Sequence, residues 1–99
     1  MKLVNIIKET QEKLFNNFIG LIIEPGSNKP VRIDLGNFDA MKARLWAKRQ
    51  SLNEDGCKVY VIQMNDDRYG KQVFYFENGK GGDVNNLSQV DIWKYPQSL

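Results

Sequence analysis

Lys42, Arg44, Trp46, Lys48 and Arg49 are the side chains whose types and spacing best suit recognition chemistry in this sequence. Four are cations, and Trp and Arg are the residues most often found at binding hot spots. The stretch reads as a helix from about Phe38 to Leu52. At 100° per residue, Lys42, Trp46 and Arg49 share one flank through their i, i+4 and i+7 spacing, and Arg44 and Lys48 share the other. Such a helix can dock on a partner protein or on nucleic acid. The same residues also fit a plain structural helix. Alanine is the best helix former, cations complement a helix C-terminus, and Trp46 can pack under a neighbouring loop.

Covalent chemistry has little to work with. The chain has no histidine and one cysteine, Cys57. That removes the commonest general base, the Ser/His and Cys/His nucleophile pairs and the usual zinc ligand sets. Glu24 and Asp34 form a conceivable acid/base pair near opposite ends of a hairpin. Asp66 and Asp67 could join Asp83 at a metal, but adjacent acids before Arg68 and Gly70 fit turn chemistry better, and a calcium loop needs alternating oxygen ligands and a late Glu. Cys57 opens an apolar strand and reads as a buried, inert thiol. The sequence therefore predicts no catalytic residues, no metal site and no cofactor.

Three further motifs fall short of their types. Tyr60, Phe74, Tyr75 and Phe76 could stack single-stranded bases, yet their spacing does not fit the RNA-recognition motif, and aromatic residues are ordinary strand residues. Gly79-Lys80-Gly81-Gly82 matches the GxxG of KH domains in letters only, because strands rather than helices flank it. It is not a Walker A loop, which needs Gly-x4-Gly-Lys-Ser/Thr. Phe18 to Ser27 superficially resembles the LAGLIDADG homing-endonuclease signature. Ile23 and Pro25 occupy the acid positions of that signature, and only about ten residues separate it from the next helix, so no family is assigned.

The elements that must position these residues follow from hydrophobic period. Lys2 to Phe18 reads as an amphipathic helix through Leu3, Ile7, Leu14 and Phe18, joined by Ile6 and Phe15. Ile19–Glu24 and Val31–Leu35 read as strands joined by a Pro25-Gly26 turn. The second helix starts at Gly36-Asn37 with Asn37 as cap and Asp39 in the first turn, and its core face is expected to be Phe38, Met41, Leu45 and Leu52. Trp46 is expected to stand clear of that core and to be exposed. Cys57–Met64 and Lys71–Glu77 follow as strands, Asn78–Asn86 as a glycine-rich mobile loop, and Val90–Tyr95 as a last strand ended by Pro96. Tyr60 and Ile62 join Met41 and Leu45 as expected core.

The order α-β-β-α-β-β-(β) predicts a single α+β domain over residues 1–99, an antiparallel sheet of four or five strands with two helices on one face. The 41% hydrophobic and 26% charged fractions suit a globular chain. Residues 1–50 carry nine Lys/Arg against five Asp/Glu, and residues 51–99 five against seven, which permits an anionic partner without demanding one. No signal peptide or membrane span is legible, so a cytoplasmic location is expected. The functional expectation is a small non-enzymatic protein-binding module, an accessory or inhibitor of phage or mobile-element type that occludes a larger enzyme. A nucleic-acid-binding domain using the basic helix is the alternative, and a carboxylate- or lysine-based enzyme the second alternative. A protein partner is expected first, nucleic acid or a second copy of the chain next.

Overall fold

The first hairpin is set by its turn. Pro25 and Gly26 stand at the middle of a tight turn in which the Ser27 N–H donates to the Glu24 carbonyl at 3.0 Å, with Gly26 at φ 78°. Proline followed by a positive-φ glycine is the type II pattern. It joins β1 (Phe18–Ile23) to β2 (Val31–Gly36). The computed structural model describes residues 17–36, 38–53, 56–85 and 88–97. The helix expected over Lys2–Phe18 lies outside them but for its last two residues, of which Phe18 opens β1.

The helix α1 (Ala40–Ser51) then carries the chain from β2 to β3 (Lys58–Met64). The long β4 (Tyr69–Glu77) follows, then β5 (Lys80–Asp83), β6 (Gln89–Asp91) and a 3-10 turn at Ile92–Lys94. All strand pairings are antiparallel, in the order β2-β1-β3-β4-β5, with β6 beside the other half of β4. β2 and β3 therefore run parallel to each other on either side of β1. The result is a small α+β domain with a six-stranded antiparallel sheet. The described residues hold one α-helix and run β-β-α-β-β-β-β, so the expected order and the pair of helices on one face are not borne out among them.

The most instructive correction is the glycine-rich segment. Asn78 and Gly79 both have positive φ, at 54° and 78°, and close a two-residue hairpin between β4 and β5. This is the geometry that Asn-Gly serves in type I′ turns. The segment expected as a loop is thus a strand over its middle. Gly81 and Gly82 sit at φ 152° and 159°, and a Cβ on Gly81 would collide with the Tyr75 carbonyl. Gly81 thus serves close pairing of β5 with β4. The last strand is also shorter than expected. The Asp91 carboxylate accepts from the Trp93 N–H at 3.1 Å and bends the chain into the 3-10 turn.

Alternation along the strands sorts the core onto two faces. Phe18, Ile22, Leu35, Val59, Val61 and Phe76 lie with Ala43 and Ala47 of α1. Ile19, Leu21, Ile62 and Met64 lie on the other face with Ile92, and half-buried Tyr60, Val90 and Tyr95 pack against them. The tail closes that second face at its edge, where the Arg32 N–H donates to the Pro96 carbonyl at 2.8 Å and Arg32 pairs with Gln97. Of the expected core residues Ile62 is fully buried and Tyr60 half-buried, whereas Met41 and Leu45 are exposed.

Candidate docking face of the helix

Helix α1 begins at Asp39 rather than at Asn37. The Asp39 carboxylate accepts from the Lys42 N–H at 2.8 Å, and its carbonyl from the Ala43 N–H at 3.0 Å. A short acid in extended conformation supplies the acceptor that the first turn lacks. At the other end Lys48 and Arg49 lie in the last turn, as expected. Ser51 is fully buried there. Its hydroxyl donates to the Lys48 carbonyl at 2.7 Å and accepts from the Gly79 N–H at 2.9 Å. The helix C-terminus is thereby fixed to the β4–β5 turn.

Between these ends the helix sits the other way round from expectation. Ala43, Ala47 and Ser51, spaced by four, are buried. Met41, Leu45 and Leu52 are 75%, 47% and 60% exposed. Of the stripe expected to be the core face, Phe38 packs against the core as expected, whereas the other three face solvent. The physical reason is volume. The sheet fills the space beneath α1 with Phe18, Val59, Val61 and Phe76, all essentially inaccessible. Against such large side chains, close packing leaves room only for small ones. Hydrophobic period alone does not weigh that.

Trp46 is also corrected. It is half-buried and packs against the core cluster, its ring lying so close over β1 that a Cβ on Gly20 would collide with it. It still borders the outer surface. With Phe38, Lys42, Leu45, Arg49 and Gln50 it lines a depression of about 380 Å³. A second depression of 250 Å³ is lined by Asp39, Met41, Lys42, Arg44 and Leu45. The two share Lys42 and Leu45. Lys42, Trp46 and Arg49 are thus brought together, as their spacing predicts. Arg44 stands apart, its guanidinium 5.4 Å from the centre of the Phe76 ring. Lys48 is exposed.

The other sequence candidates converge only in part. Asp34 pairs with Ile19 at the start of β1, whereas Glu24 follows the end of that strand, so the two carboxylates sit at opposite ends of the hairpin. The Asp66 carboxylate accepts from the N–H groups of Tyr69 at 2.7 Å and Arg68 at 2.8 Å, which hold it below its ordinary range. Asp83 pairs with Phe74, well along β4 from that turn. Among the described residues no group of three or more His, Cys, Asp or Glu side chains is placed to hold a metal ion. Cys57 is buried, as expected. A polar depression of 250 Å³ opens beside Asn17, Arg32, Asp34, Asp66, Asp67 and Gln97, over a floor of Ile19, Met64 and Ile92. It sets three carboxylates against one guanidinium.

Sequence reasoning missed one charged cluster. Arg68 grips Asp91 with two nitrogens, at 3.1 Å from Nε and 2.9 Å from a terminal nitrogen. The guanidinium lies 5.0 Å from the Tyr69 ring centre and 4.7 Å from that of Trp93. The hydrogen bond from Arg68 holds the Asp91 carboxyl below its usual range. This clamp ties the β3–β4 turn to β6. The sequence separation of 23 positions between the partners is the reason no local pattern reveals it. Half-buried Tyr75, raised above the ordinary phenol range by desolvation and by donating to Glu77 at 2.6 Å, is a second such feature.

No protein family, curated protein or solved structure matches the chain. Among the described residues no helix is long and apolar enough to cross a membrane.

Proposed function

We propose that this chain is a small non-enzymatic binding module and that the outer face of α1 holds a partner protein. The observation that carries the reading is the inversion of the helix: alanines inside, Met41, Leu45 and Leu52 outside. Large apolar side chains gathered on an exposed face mark interaction sites more often than scattered single ones do. Here Met41 and Leu45 line two depressions, and the stripe is flanked by Lys42 and Arg49 on one side and Lys48 on the other. Against the expected Glu24–Asp34 acid/base pair stands its separation along the hairpin, since acid/base work needs two groups within reach of one substrate. A cytoplasmic location belongs to the same reading, because a single cysteine offers no disulfide framework and suits a reducing compartment.

The test is site-specific photo-crosslinking in cells producing the full chain. A photoreactive residue at position 45 should yield discrete protein adducts. The same residue at position 71, exposed on β4, should not. Equal adducts from both positions, or none from position 45, would overturn the reading.

A further inference from the structure

We infer that the occupant of this face is an acidic, amphipathic segment of another protein, with apolar side chains in the two depressions and carboxylates against the cations beside them. The inference rests on the reading of α1 as a docking face and adds the chemistry of the partner. Its first support is charge. From Ala40 to Ser51 the helix carries Lys42, Arg44, Lys48 and Arg49 and no acid. Asp39 is the one carboxylate among the residues lining the depressions, and its oxygen is already engaged by the Lys42 N–H. An apolar segment without acids would leave those cations unpaired on binding, and unpaired charge is costly once water is excluded.

The second support is how charge and apolar surface interleave. On the helical projection Met41, Leu45 and Leu52 stand opposite buried Ala43, with Arg44 and Lys48 on one side and Lys42 and Arg49 on the other. Cations thus border an apolar centre along both edges. A segment with an apolar stripe and acidic flanks complements that pattern, which is the way amphipathic segments are read in grooves.

Two other occupants fit less well. A second copy of the chain meeting through this face would bring eight cations together, since each helix contributes four, and like charges at an interface oppose association. Nucleic acid would set phosphates over Met41 and Leu45, which offer it no hydrogen bond. The face carries four cations, few for a backbone that binding proteins usually meet with many.

The experiment is selection of a displayed library of random 16-residue peptides against the full chain. Enriched peptides are then synthesised and measured by fluorescence anisotropy at two salt concentrations. A 20-base-pair DNA duplex is measured in parallel, and the protein alone is examined by sedimentation. Enriched sequences should be rich in Asp and Glu, with apolar residues spaced by three or four. Leu45→Glu should weaken their binding by tenfold or more. Lys42→Glu with Arg49→Glu should weaken it several-fold and flatten its salt dependence. Circular dichroism verifies that the variants fold, and Met41→Glu, at the most exposed position of the stripe, replaces Leu45→Glu should the latter not fold.

Failures of the two readings differ. Enriched peptides that are basic or uncharged, or that ignore the charge reversal while still failing on Leu45→Glu, overturn the acidic partner and leave the docking face standing. Peptides indifferent to both Leu45→Glu and Met41→Glu overturn the face itself. Tighter binding of the duplex than of any peptide, or self-association abolished by Leu45→Glu, replaces the acidic segment with nucleic acid or with a second copy.

Discussion

The inner and outer faces of α1 are built from opposite materials. Inside lie Ala43, Ala47 and Ser51, with almost no apolar volume of their own. Outside lie Met41, Leu45 and Leu52, which are among the largest apolar side chains the helix has. On the inner face the sheet supplies the bulk, through Phe18, Val59, Val61 and Phe76. On the outer face no described residue buries Met41 or Leu45, which stay 75% and 47% exposed, while Leu52 lies beside Gly79 at the β4–β5 turn. The inner face is therefore governed by fit and the outer face by what it can attract. The two should respond to mutation in opposite ways.

The largest effect is expected on the inner face. Ala47→Leu adds three carbons where Ala47 has no accessible surface. Overpacking of this kind costs about 1–3 kcal/mol. Urea denaturation should show a lower midpoint. An unchanged midpoint would mean that α1 does not press on the sheet as closely as described, and the comparison would lose its basis.

A somewhat smaller loss is expected at Ser51. Its hydroxyl joins the Lys48 carbonyl to the Gly79 N–H in a fully buried setting. Ser51→Ala leaves the Gly79 donor without that acceptor, at a cost of about 1–2 kcal/mol. Hydrogen exchange at Gly79 should accelerate along with the loss of stability. A stability change without faster exchange there would place the effect elsewhere.

These inner contacts explain what a sequence reader can and cannot see. The strands β1 to β4 are legible because alternation and apolar runs are local signals, and the boundaries differ from expectation by at most two residues at each end. The helix is legible in extent for the same reason. Its orientation is not, because Met41, Leu45 and Leu52 outscore Ala43 and Ala47 in hydrophobicity while the deciding quantity is the volume left above Phe76 and Val61. The β4–β5 hairpin was within reach, since Asn78-Gly79 is a strong turn signal, but the glycines that follow resemble a loop until Gly81 is seen against the Tyr75 backbone. Of the candidate site, Lys42, Trp46 and Arg49 were found by spacing alone. Phe38 and Leu45 beside them are hidden by the assignment of the apolar stripe to the core, and uncharged Gln50 carries no signal of its own.

Away from the helix, the Arg68–Asp91 clamp gives a pH-dependent contrast. Both Asp91 and Asp66 have pKa values held below the ordinary carboxylate range. Groups depressed in the folded state stabilise it above their unfolded pKa of about 4, and that contribution is lost as pH falls through the folded value. The melting temperature should therefore decline on acidification below about pH 5. Asp91→Asn should make the decline shallower, by removing one of the two depressed carboxylates, at the expense of a lower plateau near neutrality. A wild-type melting temperature independent of pH from 7 down to 3 would contradict the depressed values.

The smallest effect on stability is expected where the effect on binding is largest. Leu45 is 47% exposed and Met41 75%, so Leu45→Ala and Met41→Ala remove little area that folding has buried. Each should change unfolding free energy by no more than about 0.5 kcal/mol, the range of ordinary surface substitutions. A core leucine would instead cost about 2–5 kcal/mol, so denaturation of Leu45→Ala separates the two orientations of α1 by a wide margin. Alanine is also the better helix former, which offsets part of the loss and could carry Met41→Ala slightly above wild type. A loss near 3 kcal/mol at Leu45 would return the stripe to the core and remove the ground for a docking face. Near-zero losses at both positions leave two large apolar side chains that folding does not require, and contact with a partner is then the role that accounts for them.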